Sequence, residues 1–335
     1  MNVFAADAAT RTARLRTLRR AVALSAAALA AVGLSACGGD KTATPTAAAS
    51  SAAPAAVTSA APVSNSDAAT LAGTRYYLGT SGKEASIHVV QGDTDKVTAR
   101  IPFGSGSCTE NTITVSPDGK RIAWVQNGDD TGTLMTAAID GSQQRTLEKG
   151  VNCLGSRALV WQGDDWLMVQ QRNRSVLMDM VAGEPHHGDP GEETDRCWSA
   201  DGKWLAAVDD YGKPFVTGGK AGRSYTYTPP KADAAKHDGW QARSVSTDGR
   251  YVAVGWKGTD PSRQDGSFAV VDTTTSKVVE LTGAGSVRSI LFTADGTVLV
   301  RRATGITVLD ASFKLAGTVQ EPGAVKDLTL LAYAA

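Results

Sequence analysis

The chain of 335 residues is poor in the side chains that most enzymes use for chemistry. It has only four histidines and four cysteines, which limits the catalytic triads and metal sites that it can build. The GxSxG pattern that presents the nucleophile of many hydrolases is missing. His186 and His187 are adjacent, so on an extended chain they point to opposite sides and rarely share an ion. We therefore expect no metal and no cofactor, and the sequence names no set of catalytic residues.

An excess of positive charge is also lacking. The 34 basic residues are balanced by 34 acidic ones, and removal of an arginine-rich leader leaves a small acidic excess. Because a general nucleic-acid binder carries a basic excess, we expect no nucleic-acid partner. No apolar run reaches the roughly 20 residues that a membrane-spanning helix needs.

The N-terminus has the pattern of a bacterial export signal. Arginines between positions 11 and 20 precede the apolar run AVALSAAALAAVG, from Ala21 to Gly33, and LSAC follows and ends at Cys37. This pattern resembles the signal peptide and lipobox of bacterial lipoproteins. The resemblance implies that residues 1–36 are removed and that Cys37 carries the lipid. An ordinary secretory signal with an incidental cysteine is the alternative.

Residues 37–72 begin with that cysteine and continue as a tract rich in Ala, Ser, Thr and Pro. Such a composition cannot bury enough apolar surface to offset its ordering entropy. We expect a disordered tether, or alternatively a glycosylated stalk. In either form it would hold a folded domain, residues 73–335, on the outer face of the bacterial cytoplasmic membrane.

A short turn motif recurs through the rest of the chain. SPDGKRIAWV, from Ser116 to Val125, returns as SADGKWLAAV, STDGRYVAVG and TADGTVLVRR, with a weaker copy, QGDDWLMVQQ. The turn aspartates are separated by 46, 37, 47 and 47 residues. A period of about 40–45 residues is typical of the four-stranded blades of β-propellers. Alternating apolar and polar residues after each turn predict the strands.

Five repeats leave two pieces of the chain unassigned. The segment from Thr74 to Ile101 has the pattern of the last three strands of a blade, and that from Val325 to Ala334 has the pattern of a first strand. Joined, they make a sixth blade and close the ring, which leaves no open sheet edge. We therefore predict a monomeric, all-β, six-bladed propeller of four-stranded blades.

The repeats resemble those of the TolB-type six-bladed β-propeller over roughly residues 74–335. The resemblance implies a propeller in the cell envelope. Because a propeller can host many functions, we expect a binding or protein-interaction scaffold for an envelope protein, a peptide or a cell-wall ligand. The alternative is a propeller enzyme, a lyase or a glycan hydrolase, with paired carboxylates at the mouth of the channel.

Candidate ligand-binding residues are cations and aromatic side chains near that channel mouth. Arginines begin four successive first strands, and their offsets from the turn aspartate share a parity, so regular strands would point all four to one face. A basic ring there would favour an anionic ligand. Pairing of each arginine with an acid such as Glu110, Glu193 or Asp195 is the alternative. The candidates are Arg157, Arg196, Arg243, Arg288, Lys326, Tyr211, Trp240 and Trp256.

The cysteines beyond the leader lie at informative positions. Cys108 and Cys153 precede their turn aspartates by ten and eleven residues, so they occupy nearly equivalent places in adjacent loops. An exported protein meets oxidising conditions. We predict a Cys108–Cys153 disulfide and a buried thiol at Cys197; three free buried thiols are the alternative.

Replacement of Cys37 by Ala removes the thiol that would carry the lipid. The variant should be unlipidated and should either stay unprocessed or leave the membrane, as measured by fractionation and by the mass of the protein. Cys197→Ala keeps the lipobox and should fractionate like the wild type. Wild-type processing and membrane association of Cys37→Ala would show that the lipobox interpretation is wrong.

Overall fold

The computed structural model describes residues 71–335, except 104–107, 127, 129, 154–158, 172–173, 187–193, 210, 236, 238 and 258–265. The predicted leader and nearly all of the predicted tether lie outside the described residues. The described chain forms 24 strands and only short helical segments, so the all-β class is confirmed. No helix among the described residues is long and apolar enough to cross a membrane.

The first sheet combines the two ends of the described chain. It contains β1 (Thr74–Ser81), β2 (Glu84–Gln91), β3 (Thr94–Pro102) and β24 (Thr329–Ala334), in the order β24-β1-β2-β3. The C-terminal strand runs antiparallel to β1, with Ala334 opposite Thr74. The two pieces that the sequence left unassigned therefore share one four-stranded sheet.

The next eight strands form a single sheet. They are β4 (Thr114–Val115), β5 (Arg121–Gln126), β6 (Thr131–Ala138), β7 (Arg145–Asn152), β8 (Leu159–Gln162), β9 (Trp166–Gln171), β10 (Arg174–Asp179) and β11 (Glu184–His186). The sequence predicts two sheets here. The pairing of β8 with β9 ends at Val169, so the end of β9 has no partner from β8. Gln171 of β9 pairs there with Val151 of β7, and this pair joins the two sheets.

The remaining strands form three antiparallel sheets of four in sequence order. The strands are β12 (Thr194–Trp198), β13 (Leu205–Val208), β14 (Pro214–Gly218), β15 (Ala221–Ser224), β16 (Trp240–Val245), β17 (Tyr251–Trp256), β18 (Ser267–Asp272), β19 (Lys277–Val279), β20 (Val287–Phe292), β21 (Val298–Arg302), β22 (Gly305–Leu309) and β23 (Leu315–Val319). Two short helices, α1 (Cys108–Thr112) and α2 (Lys231–Ala234), and a 3-10 turn at Gly323–Val325 lie in connections.

The repeated turn has the same local structure in four copies. The hydroxyl of its first residue donates to the turn aspartate in Ser116–Asp118, Ser199–Asp201, Ser246–Asp248 and Thr293–Asp295. The backbone N–H two residues after the aspartate donates to the same carboxylate, as from Lys120 to Asp118 at 3.1 Å. Burial would raise the pKa of Asp118, but these hydrogen bonds stabilise the ionised form and hold its pKa below the usual range.

Aromatic side chains of one sheet cover the turn glycine of the next. A Cβ at Gly249 would overlap the ring of Trp204, and a Cβ at Gly119 would overlap the ring of Tyr76. Both glycines also have positive φ, 67° and 70°. Glycine is therefore required for two reasons, the left-handed backbone and the close approach of the neighbouring sheet.

A buried ionic network connects the last sheet to the first. Nε of Arg301, in β21, lies 2.9 Å from Oε1 of Glu321, and the two side chains are 1% and 2% exposed. The hydroxyl of Tyr77, in β1, donates to the same carboxylate oxygen at 2.6 Å. The guanidinium also donates to the carbonyls of Val325, Lys326 and Leu328. Burial and then the charge of Glu321 raise the pKa of Tyr77, so its hydroxyl remains a donor.

Gly249→Ala should destabilise the fold more than Gly150→Ala. Their φ angles are 67° and 69°, so both substitutions carry a similar backbone strain of about 1–2 kcal/mol. Nothing lies within 4 Å of a Cβ at Gly150, whereas Trp204 must move at Gly249. We expect a further loss of about 1–3 kcal/mol at Gly249, measured by urea unfolding. Equal losses would contradict the packing argument.

Glu321→Gln should lower the free energy of unfolding by about 3–5 kcal/mol, because it leaves the guanidinium of Arg301 buried without its counter-charge. Glu84→Gln is the matched control. It breaks a pair with Arg100 whose side chains are 43% and 62% exposed, and an exposed pair contributes about 0–1 kcal/mol. A loss at Glu321 no larger than that at Glu84 would show that the network does not stabilise the fold.

Candidate functional site

A cavity of about 140 Å³ lies where the inner ends of the sheets converge. The first strand of every repeat contributes to its wall, as does the C-terminal strand. The wall includes residues 114–115 of β4, 159–161 of β8, 197–198 of β12, 243–244 of β16, 290–292 of β20 and 330–333 of β24. Every sheet thus supplies at least one strand to the wall of a shared space.

Side chains satisfy backbone groups of the inner strands, which pair on one side only within their sheets. The hydroxyl of Ser244 accepts a hydrogen bond from the N–H of Phe292 at 3.0 Å, and that of Ser267 accepts one from Ile290 at 2.5 Å. Buried backbone N–H groups need such partners. These bonds fasten β20 to the preceding sheet and fix the position of the wall.

Two tryptophans of the wall carry donors without an acceptor. Trp161 is 8% exposed, and the indole N–H groups of Trp161 and Trp198 are buried with no hydrogen-bond partner among the described residues. A buried donor without a partner costs about 1–3 kcal/mol. Because both N–H groups are themselves buried, they are not accessible to a ligand in the cavity.

Arg196 and Arg243 both bind groups of their own surroundings. Arg243 lines the cavity, but its Nη2 donates to the carbonyl of Trp256 at 2.8 Å. Arg196 is 5% exposed and donates to the hydroxyl of Ser175, in β10, at 2.7 Å. Of these two arginines, the structure places Arg243 at the cavity and holds Arg196 against the neighbouring sheet.

Two further predicted cations, Arg288 and Lys326, contact each other. Nη1 of Arg288 donates to the carbonyl of Lys326 at 2.6 Å and lies 3.9 Å from Oδ1 of Asp327. Lys326 is exposed at the end of the 3-10 turn, and not at the start of a strand as the sequence predicts, because β24 begins at Thr329. Arg157 lies outside the described residues.

The offsets of the arginines from the turn aspartates share a parity, but this does not fix the directions of the side chains, because the strands that carry them are irregular. Register shifts occur between Thr194 and Cys197, between Ala242 and Ser244, and between Val287 and Ser289. An extra residue in a β-bulge leaves the regular alternation of sides. Arg196, Arg243 and Arg288 all lie within these irregular stretches, so equal offsets along the sequence do not give equal directions.

Trp240 and Trp256 belong to an aromatic cluster rather than to an open binding surface. Trp256 stacks on His237 and on Phe268, with ring centroids 4.5 Å apart in both cases. Trp240 meets Tyr227 edge-on at 5.2 Å. Packing on neighbours occupies these rings, although the sequence suggested that they were available for a ligand.

Tyr211 is the accessible member of the predicted aromatics. It lies in the connection between β13 and β14 and is 95% exposed. The carboxylate of Asp209 accepts from the N–H groups of Tyr211 and Lys213 at 2.9 and 2.8 Å. The turn is thereby ordered, and it presents the phenol ring to solvent.

The cysteines occupy the positions that the repeat suggested. Cys108 and Cys153 form a disulfide with their Cα atoms 5.0 Å apart, and Cys197 is a buried free thiol in β12. No three His, Cys, Asp or Glu side chains in the described part of the chain are placed to hold a metal ion. His187 and the acidic loop after it lie outside that part.

Sequence reasoning missed a buried polar cluster beside Arg243. The carboxylate of Asp195, a residue 3% exposed, forms an ion pair with Lys257. With its amide oriented to suit both neighbours, Gln241 donates to Asp195 at 3.1 Å and accepts from Arg243 at 2.9 Å. The sequence offered Asp195 as a direct partner of an arginine. In the structure Gln241 lies between the two, because β12 and β16 bring these residues together from different sheets.

No family model and no curated protein matches the chain. Solved structures do resemble it. TolB from Acinetobacter baumannii has a TM-score of 0.46 and 15% identity, over 79% of this chain and 68% of that chain. A chain of the nidogen/laminin complex has a TM-score of 0.45 and 11% identity, over 78% of this chain and 97% of that chain. The β-propeller domain of the Trilobed protease from Pyrococcus furiosus has a TM-score of 0.39 and 13% identity, over 72% of this chain and 85% of that chain.

TolB and other β-propellers are thus among the folds that this chain resembles, as the repeats predict. Because these three identities are at most 15% and the TM-scores are below 0.5, the likenesses concern the fold alone. They carry no argument about a partner or an activity.

Proposed function

We propose that the protein is a membrane-tethered, extracytoplasmic lipoprotein whose six-bladed β-propeller is a binding or protein-interaction scaffold in the bacterial cell envelope. The observation that carries the proposal is the cavity whose wall takes strands from every sheet. The blade count treats the eight-stranded sheet as two blades, because its halves share one residue pair, Val151 with Gln171.

The tether supports this proposal through its length. Between the lipid on Cys37 and the domain that starts at residue 73 lies a tract rich in Ala, Ser, Thr and Pro. A flexible chain of this length spans roughly 30 Å on average. The domain would therefore reach partners beyond the lipid headgroups while staying at the outer face of the cytoplasmic membrane.

The expected ligand is an envelope protein, a peptide or a cell-wall polymer. Tyr211 adds an exposed aromatic ring on a connection between strands, the part of a rigid scaffold where binding residues concentrate. We propose that this connection contacts the same partner and that the protein acts as a monomer.

Tyr211→Ala should weaken binding of the full-length, detergent-solubilised protein to purified cell wall or to solubilised envelope proteins at least fivefold. The lost ring would have contributed contact area to the partner. Val278→Ala is the control, because Val278 is also exposed, at 56%, but lies on the outer strand β19. Both variants should unfold like the wild type.

Equal binding by the wild type and by Tyr211→Ala would remove this connection from the proposed binding surface. Loss of binding by Val278→Ala alone would move that surface to the outer rim. Release of soluble fragments from the cell wall by the wild-type protein would instead favour the alternative, a lyase or glycan hydrolase.

A further inference from the structure

Ser86, His88 and Asp95 form a hydrogen-bonded chain on the first sheet. Oγ of Ser86 lies 3.2 Å from Nε2 of His88, and Nδ1 of His88 lies 3.0 Å from Oδ2 of Asp95. The order of hydroxyl, imidazole and carboxylate, and the ring nitrogen that each contacts, are those of a catalytic triad.

The three side chains share one face because of the register of β2 and β3. Ser86 and His88 are two residues apart on β2, so they point to the same side. Asp95 lies opposite Val90, which is two residues beyond His88. His88 and Asp95 are 15% and 16% exposed, and Tyr77, opposite His88 on the same face, is fully buried, so the trio is largely shielded from solvent.

A glycine lets the serine hydroxyl, the imidazole and the side chain of Leu328 pack closely against β1. Gly79 of β1 lies directly opposite Ser86. A Cβ at Gly79 would come within 2.8 Å of Oγ of Ser86 and 3.4 Å of Nε2 of His88. Any other residue would therefore crowd the two atoms that have to meet a substrate.

A β-bulge brings a cation to the same face. The register shifts between Ile87 and His88, where Ile87 lies opposite Ala99 and His88 opposite Val97. This shift lets Arg100, opposite Ser86, share the face with Asp95. Its Nη1 donates to Glu84 at 2.6 Å, and a guanidinium has five N–H donors in all.

We propose that Ser86, His88 and Asp95 form a hydrolytic site for acyl esters that reach it from the side of β3, where the side chain of Arg100 is 62% exposed. Oγ of Ser86 bonds to the acyl carbon as its proton passes to Nε2 of His88. The carbon–alkoxide bond then breaks, and the alkoxide takes that proton. Water repeats the sequence, releases the carboxylic acid and restores the serine.

The remaining residues support this reaction. Arg100 stabilises the negative charge that develops on the acyl oxygen. Asp95 is a positioning residue that holds Nε2 of His88 toward Ser86. The site lies on β2 and β3 and shares no residue with the cavity wall, so this activity is separate from the proposed binding function.

The test treats the full-length protein with a fluorophosphonate, whose phosphorus bonds to an activated serine oxygen and expels fluoride. Mass mapping should find the label on Ser86, and Ser86→Ala should remain unlabelled. His88→Ala should slow labelling about 100-fold, the usual contribution of a general base, and added imidazole should partly restore the rate. Asp95→Asn should lower the maximal labelling rate while the probe's binding constant stays unchanged.

Ser142→Ala is the control, because the Ser142 hydroxyl donates to Asp140 at 2.6 Å but is not part of the trio, so labelling should persist. Hydrolysis of p-nitrophenyl acetate by the wild type and not by Ser86→Ala is the second readout. An unlabelled wild type, a label on another serine, or an undiminished rate in folded His88→Ala would overturn the proposal. None of these results would alter the binding measured with Tyr211→Ala.

Discussion

The buried pair of Arg301 and Glu321 lies at the junction on which the central cavity depends. β24 supplies residues 330–333 of the cavity wall, and it reaches that position only by pairing with β1 from the other end of the described chain. The carbonyls of Val325 and Leu328, just before β24, accept from Arg301, while Tyr77 of β1 donates to Glu321. Two buried charges are stable only when such additional partners satisfy them.

Two of the repeated turns also pack against an aromatic side chain of a neighbouring sheet. Trp204 lies against Gly249 of the following sheet, and Tyr76 of the first sheet lies against Gly119 of the next. At these two places a sheet is therefore positioned by its neighbour as well as by its own strands. A cavity bounded by such sheets is already formed before a ligand arrives, which reduces the ordering entropy that binding requires.

The strands could be predicted because their signals are local, and the sheet shared by the two ends could be predicted because the repeat left one unassigned piece at each end. Each turn combines an aspartate that binds its own backbone with a glycine at positive φ, as in Asp118 and Gly119, and the apolar alternation follows directly. The directions of Arg243 and Arg288 could not be predicted. They depend on β-bulges, and a bulge adds a residue without any distinctive residue type to mark it.

The triad on β2 and β3 could not be predicted from the sequence for the same physical reason. Ser86 and His88 are close in sequence, but the contact of His88 with Asp95 requires the register across the hairpin, and the face of Arg100 requires the shift after Ile87. One irregular pairing thus decides which charges meet. In a repeated all-β fold the periodic residues specify the scaffold, and the departures from periodicity decide where polar side chains converge. Candidate chemistry in this protein is therefore best sought at the bulges.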